Sequence, residues 1–221
     1  AELRGHIVKA TRCPHANHVL QRLIAVSSSE DCQFAVDELL ARPGVVFQTA
    51  RHRYGCRIVQ QMLRCLPPAQ LRPLCDALLV DARALCCHAF GSYVMQHLIK
   101  HGSEEYRRRV VDLLAKQASS IGHCSSGCAA IAAAMHFGAP HEVALLARGI
   151  AKEPELLETF AVAKHGHVLA LLVLQALPEP DLSVVRERLL EGRATLLNSR
   201  YGGSIARFLT GEGGDSPPSQ A

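Results

Sequence analysis

Apolar residues along this chain recur at helical intervals and nowhere alternate one by one. In "DCQFAVDELLARP" (31–43), Phe34, Ala35, Leu39 and Leu40 are spaced for a helix that stops at Pro43-Gly44. "VVFQTARH" and "YGCRIVQQMLRCL" follow as two further short helices, broken at Pro67-Pro68, and "PAQLRPLCDALLVDA" opens another helix of the first kind. Three short helices to a unit, with no strand period, predict an all-α chain.

The pattern also comes back. "CPHANHVLQRLI" (13–24), "HRYGCRIVQQML" (52–63) and "CHAFGSYVMQHLI" (87–99) each carry a small residue (Ala16, Gly55, Gly91), two polar or aromatic positions, two aliphatics and a Gln. Their five-residue cores begin at 17, 56 and 92, steps of 39 and 36 residues. The same step finds weaker echoes in "GCAAIAAAM", "HGHVLALLV" and "YGGSIARFL", with cores expected at Cys128, Gly166 and Gly203. Six units over residues 1–210, with their central helices near 17–26, 56–65, 92–101, 128–136, 166–176 and 203–209, make an α-solenoid. "GEGGDSPPSQA" (211–221) is expected to be a disordered polar tail.

Composition agrees with many small helices rather than one large core: aromatics are 5%, Trp is absent, and Leu and Ala carry much of the 48% apolar content. A formal charge of +4 permits a nucleic-acid partner without establishing one. No run approaches the roughly 18 apolar residues of a membrane span, so no membrane partner is expected. Nine cysteines at irregular spacing do not form a secreted disulfide framework, which favours a reducing compartment. Cys124, Cys128, His136 and His141 invite a zinc reading, but the gap between Cys128 and His136 is short for a finger and falls inside an expected helix, so no metal is assigned. No nucleophilic triad or phosphate-binding glycine loop is present, and neither an enzymatic activity nor a cofactor is expected.

Residues four apart share a helix face. Cys56 and Gln60 therefore project together with Arg57 beside them, and Asn17, His18, Gln21 and Ser92, Tyr93, Gln96 repeat the arrangement, while Ile58, Val59 and their equivalents are expected to turn inward. "ANHVLQ", "GCRIVQ" and "GSYVMQ" resemble the RNA-reading helix of the Pumilio repeat family, and the step of about 36 matches it. The resemblance implies a right-handed α-α superhelix of about six three-helix repeats, with one base read per repeat by two or three side chains. On that pattern Asn17 and Gln21 hold a uracil under His18; Cys56 and Gln60 select adenine under Arg57; Ser92 and Gln96 are a variant adenine reader under Tyr93. Strand polarity in the family then gives 5′-A-A-U-3′. The last three units (Cys128, Ala129, Ala132; Gly166, His167, Ala170; Gly203, Ser204, Arg207) lack the fifth-position Gln or Glu, leaving His167 for stacking and Arg207 for a phosphate. Six units are fewer than domains of that family carry, and further repeats are expected upstream in a longer protein.

Basic residues crowd the second unit (Arg51, His52, Arg53, Arg57, Arg64), whereas Arg107, Arg108 and Arg109 read as the solvated outer face of a long helix. The leading expectation is a cytoplasmic single-stranded RNA binder that regulates stability or translation of messages through their 3′ untranslated regions. One alternative is a nucleolar relative that binds structured RNA in ribosome biogenesis; another is an α-solenoid protein scaffold. Regulatory proteins on the convex face are compatible with RNA on the concave one.

Overall fold

The structure, a computed structural model, describes residues 3–211; most of the expected polar tail lies outside them. Among the described residues there are helices and no strands. Short first helices are α1 (Ile7–Ala10), α4 (Val45–Ala50), α7 (Ala82–Cys86), α10 (Ala118–Gly122), α13 (Pro154–Val162) and α16 (Arg193–Asn198). Each leads into a middle helix: α2 (Ala16–Val26), α5 (Gly55–Cys65), α8 (Gly91–His101), α11 (Ser125–Phe137), α14 (His167–Ala176) and α17 (Gly202–Thr210). Five units close with a third helix: α3 (Ser29–Leu40), α6 (Pro68–Leu79), α9 (Glu104–Lys116), α12 (Pro140–Ala151) and α15 (Asp181–Glu191).

Local chemistry sets these bounds. The hydroxyl of Ser28 accepts the Asp31 N–H at 3.1 Å and starts α3, and the Asp81 carboxylate accepts the Ala84 N–H at 3.2 Å and starts α7. Pro68 and Pro140 occupy first-turn positions where a missing N–H costs nothing. Middle helices stack on one another in chain order, α2 on α5 on α8 on α11 on α14 on α17. Third helices form the opposite layer, with α3 on α6 and α9 on α12. The core runs the length of the array between these layers; in α5 it takes Ile58, Val59, Met62 and Leu63, each fully buried side chain contributing roughly 1.5–3 kcal/mol.

One expected core position is not in the core. Ile58, Val94, Ala130, Leu169 and Ile205 are buried by the middle helix of the preceding unit, but Val19 at the same place in α2 is 59% exposed, because no described helix packs on that side of α2. The Arg107–Arg109 run does lie on the third-helix layer, yet two of its members are engaged across units rather than simply solvated. Arg107 Nε meets the buried Glu142 carboxylate at 3.1 Å, and Arg109 meets Asp76 at 2.8 Å. Arg148 reaches Asp181 at 2.8 Å in the same way. Burial pushes the Glu142 carboxyl up, but the Ala139 N–H at 2.8 Å and the Arg107 guanidinium outweigh it and hold the group below its usual range.

Candidate nucleic-acid interface

The small residue that opens each middle helix is a contact, not a spacer. A Cβ on Gly55 would stand 2.5 Å from the carbonyl oxygen of Thr49, and one on Gly91 would stand 2.9 Å from that of Leu85. Gly127 meets Ile121 O, Gly166 meets the backbone of Phe160, and Gly202 meets Leu196 O in the same manner, always six residues upstream. In units two to six the short helix and the middle helix therefore touch backbone to backbone, at a distance only glycine permits, whereas the first unit has Ala16 in that place.

Three residues before that contact, a side chain accepts the N–H groups that the helix start leaves free. His52 Nδ1 takes Tyr54 N–H at 3.2 Å and Gly55 N–H at 3.3 Å, and His88 Nδ1 takes Phe90 N–H at 3.1 Å and Gly91 N–H at 3.2 Å. Sulfur does the same at Cys13 for Ala16 and at Cys124 for Gly127, and Ser199 Oγ accepts from Tyr201 N–H. Burial and then the charge of Arg51 push the pKa of His88 down, which keeps Nδ1 free to accept.

On this scaffold the second trio position is exposed in the units expected to read bases: His18, Arg57 and Tyr93. The first position is buried, as Asn17, Cys56 and Ser92. Gln60 is 7% exposed, and its Nε2 has no hydrogen-bond partner; Gln96 Nε2 is likewise buried without one. An unpartnered buried amide costs about 1–3 kcal/mol, a cost that a ligand acceptor would remove. The guanidinium of Arg57 and the ring of Tyr93, stacking positions of neighbouring units, face each other at 6.0 Å.

The first unit differs. Asn17 Nδ2 donates to the carbonyls of Cys13 and Pro14, both at 2.8 Å, and its Oδ1 accepts from Gln21 Nε2 at 3.0 Å. Both Asn17 amide hydrogens are therefore spent on the backbone, so Asn17 orients Gln21 rather than offering a donor of its own. Asn17, His18, Gln21 and Arg57 line one open groove of about 750 Å³ together with Arg53, Tyr54 and Phe90. Those last three were not singled out from sequence as base contacts. Arg53 belongs to the basic cluster of the second unit, and the signal of the other two is the aromatic directly before the small residue, which recurs as Tyr54, Phe90 and Tyr201.

In the fifth unit the register moves by one residue. Gly166, not His165, makes the backbone contact, so the trio there is His167, Val168 and Leu171 rather than Gly166, His167 and Ala170. Burial agrees: Val168 is exposed like Arg57, while Ala170 is 0% exposed like Val59. His167 consequently sits at the first position, its Nδ1 near the carbonyls of Ala163 and Lys164, with its ring stacked on Tyr201 at 5.1 Å. Cys128, Ala129 and Ala132 keep the expected places in the fourth unit, and Arg207 lies exposed at the fifth position of the sixth.

Electrostatics divides the molecule by layer. The six middle helices contain no Asp or Glu; every charged side chain on them is basic, and the acids lie on other segments. All nine cysteines are free, and burial pushes the thiols of Cys75 and Cys86 up to about 12, so these pack as apolar groups. Cys128 Sγ donates to Gly122 O at 3.1 Å, and no cluster of three metal-ligating side chains occurs among the described residues.

Comparison with known proteins matches residues 6–40, 46–79 and 83–115 to the Pumilio-family RNA binding repeat. A Pumilio domain-containing protein of Schizosaccharomyces pombe is 31% identical over 109 residues, covering 49% of this chain and 16% of that protein. Pumilio homology domain family member 4 of Saccharomyces cerevisiae is 30% identical over 123 residues, covering 54% of this chain and 14% of the relative. The chain thus matches only a small part of these relatives' length. Among solved structures, PUF-8 in complex with PBE-RNA superposes with a TM-score of 0.82 at 22% identity, over 95% of this chain and 62% of that one. The Puf3 RNA binding domain bound to a Cox17 RNA 3′ UTR site gives 0.80 at 15% identity, over 92% and 58%. At such identities the superpositions establish the fold, an all-α solenoid of repeats. The three consecutive repeat matches place residues 6–115 in the Pumilio-repeat family, and the superpositions show the same fold continuing through units four to six.

Proposed function

We propose that this chain binds single-stranded RNA on the exposed side of its middle-helix layer and selects bases through its first three units. The observation that carries this reading is the pair of buried, unpartnered amides of Gln60 and Gln96. Each can donate from Nε2 to adenine N1 while Oε1 accepts from the N6 amino group, a bidentate match to one base edge. Gln21, with one amide hydrogen held by Asn17, keeps an acceptor and one donor, which suits the N3–H and O4 of uracil. With the strand antiparallel to the chain, the triplet is 5′-A-A-U-3′.

His18, Arg57 and Tyr93 stack on the bases, and the acid-free layer attracts the strand as a whole. Three bases are too few for selective targeting, so general backbone affinity or a protein partner completes the site. The activity that follows is control of message stability or translation through 3′ untranslated regions, in the cytoplasm. Fluorescence anisotropy of a labelled ten-nucleotide RNA containing AAU, beside the same RNA with CCC in its place, tests the reading. Several-fold tighter binding of the AAU strand, abolished by Gln60→Ala, supports it; equal binding of both strands sinks base selection.

A further inference from the structure

Beyond the base-reading row, the middle helices carry a second row of polar side chains. Four residues, about 6 Å along the helix axis, separate Gln60 from Arg64 and Gln96 from Lys100. Arg64 and Lys100 are exposed on the same side as Arg57 and Tyr93. On α8, His97 and His101 share a face four residues apart, their rings 5.4 Å from each other. Burial pushes both rings below their usual pKa; beside His97 the Tyr93 carbonyl opposes this, while the charges of Lys100 and Arg64 add to it at both rings.

No acid relieves this group. None of the four forms an ion pair with a carboxylate among the described residues, in contrast to Arg107, Arg109 and Arg148 on the opposite layer. Lys100 instead lies 5.2 Å from the Phe137 ring of the next unit. Cations near helix C-termini gain from the helix dipole, but that accounts for each residue singly and not for their convergence across two helices.

We propose that Arg64, His97, Lys100 and His101 form a phosphate site that holds the sugar-phosphate backbone of the same strand whose bases meet Gln60 and Gln96. The proposal rests on the RNA-binding reading. It adds a sequence-independent contact at the two units whose amides lack a partner.

Anisotropy titrations of the AAU and CCC strands at several salt concentrations test it, using the chain with Arg64→Gln and Lys100→Gln together. The double variant is expected to weaken both strands by the same factor. It should also lower the slope of log affinity against log salt by roughly 0.7 for each phosphate that is no longer neutralised, with the ratio between strands intact. The paired Arg64→Lys and Lys100→Arg variant, which keeps the charges, should recover most of the affinity. If the double variant leaves affinity and salt slope unchanged while the AAU preference persists, the phosphate site is wrong and base reading stands. If neither strand binds the unaltered chain, both readings fall. Displacement of either RNA by a phosphoserine peptide at lower concentration than by an unlabelled RNA of equal charge would assign the site to protein ligands and overturn the proposal.

Discussion

The guanidinium carbon of Arg57 stands 6.0 Å from the centre of the Tyr93 ring, which links the stacking positions of two adjacent units across open solvent. A base held between two planes needs two stacking gaps of about 3.4 Å each. The slot is therefore nearly formed, and small rotations of two exposed side chains complete it. Arg57→Ala and Tyr93→Ala are each expected to weaken the AAU strand by roughly 1–3 kcal/mol. Because both planes would touch one base, the double variant should lose less than the sum, a coupling that a double-mutant cycle by anisotropy measures directly.

The fifth unit offers a test of register. Leu171→Gln places an amide on the half-buried fifth position, where Gln60 stands in the second unit, and should leave the fold intact. Ala170→Gln forces the same side chain into a fully buried site and is expected to destabilise the protein by roughly 2–4 kcal/mol. Urea denaturation of the two variants separates them; equal midpoints would refute the one-residue shift.

Glycine at the helix junctions makes a paired prediction. Gly91→Val would drive branched carbons onto the Leu85 backbone and should cost roughly 2–4 kcal/mol, whereas Gly203→Ala meets nothing within 4 Å and should be neutral or stabilising by up to about 1 kcal/mol. Thermal melts read both.

The His88 cap predicts an acid limb. Its pKa in the folded chain is depressed, so the stabilisation is complete above the ordinary histidine value near 6.5 and is lost as pH falls through the lower folded value. His88→Ala should remove about 1 kcal/mol at pH 8 and flatten the loss that sets in below the ordinary histidine value. Unfolding free energies at four pH values check the sign.

Much of this was legible in the sequence, for reasons that differ by residue. The step of 36 to 39 residues, the opening small residue and the Gln four positions after a buried small or polar residue are local patterns, and they located α2, α5 and α8 to within a residue or two. The fifth unit misled because "HGHVLALLV" has no Gln to anchor the frame; only the Gly166–Phe160 contact and the burial of Ala170 fix it. Asn17 misled because residue type does not say which partner an amide has already taken. Val19 is apolar like Ile58, but its exposure is decided by a neighbouring helix rather than by its own sequence. Histidine at 52 and 88, cysteine at 13 and 124 and serine at 199 share one capping duty, so no single residue type marks the position.

In units two to six the middle helix meets its short partner where a glycine lies against main chain, and the joint persists at Gly127, Gly166 and Gly202 although the reading side chains around it have gone. The array thus keeps its ruling independently of what is written on it. Letters can be erased, as in the fourth and fifth units, or rewritten, without altering the interval at which the next one is met.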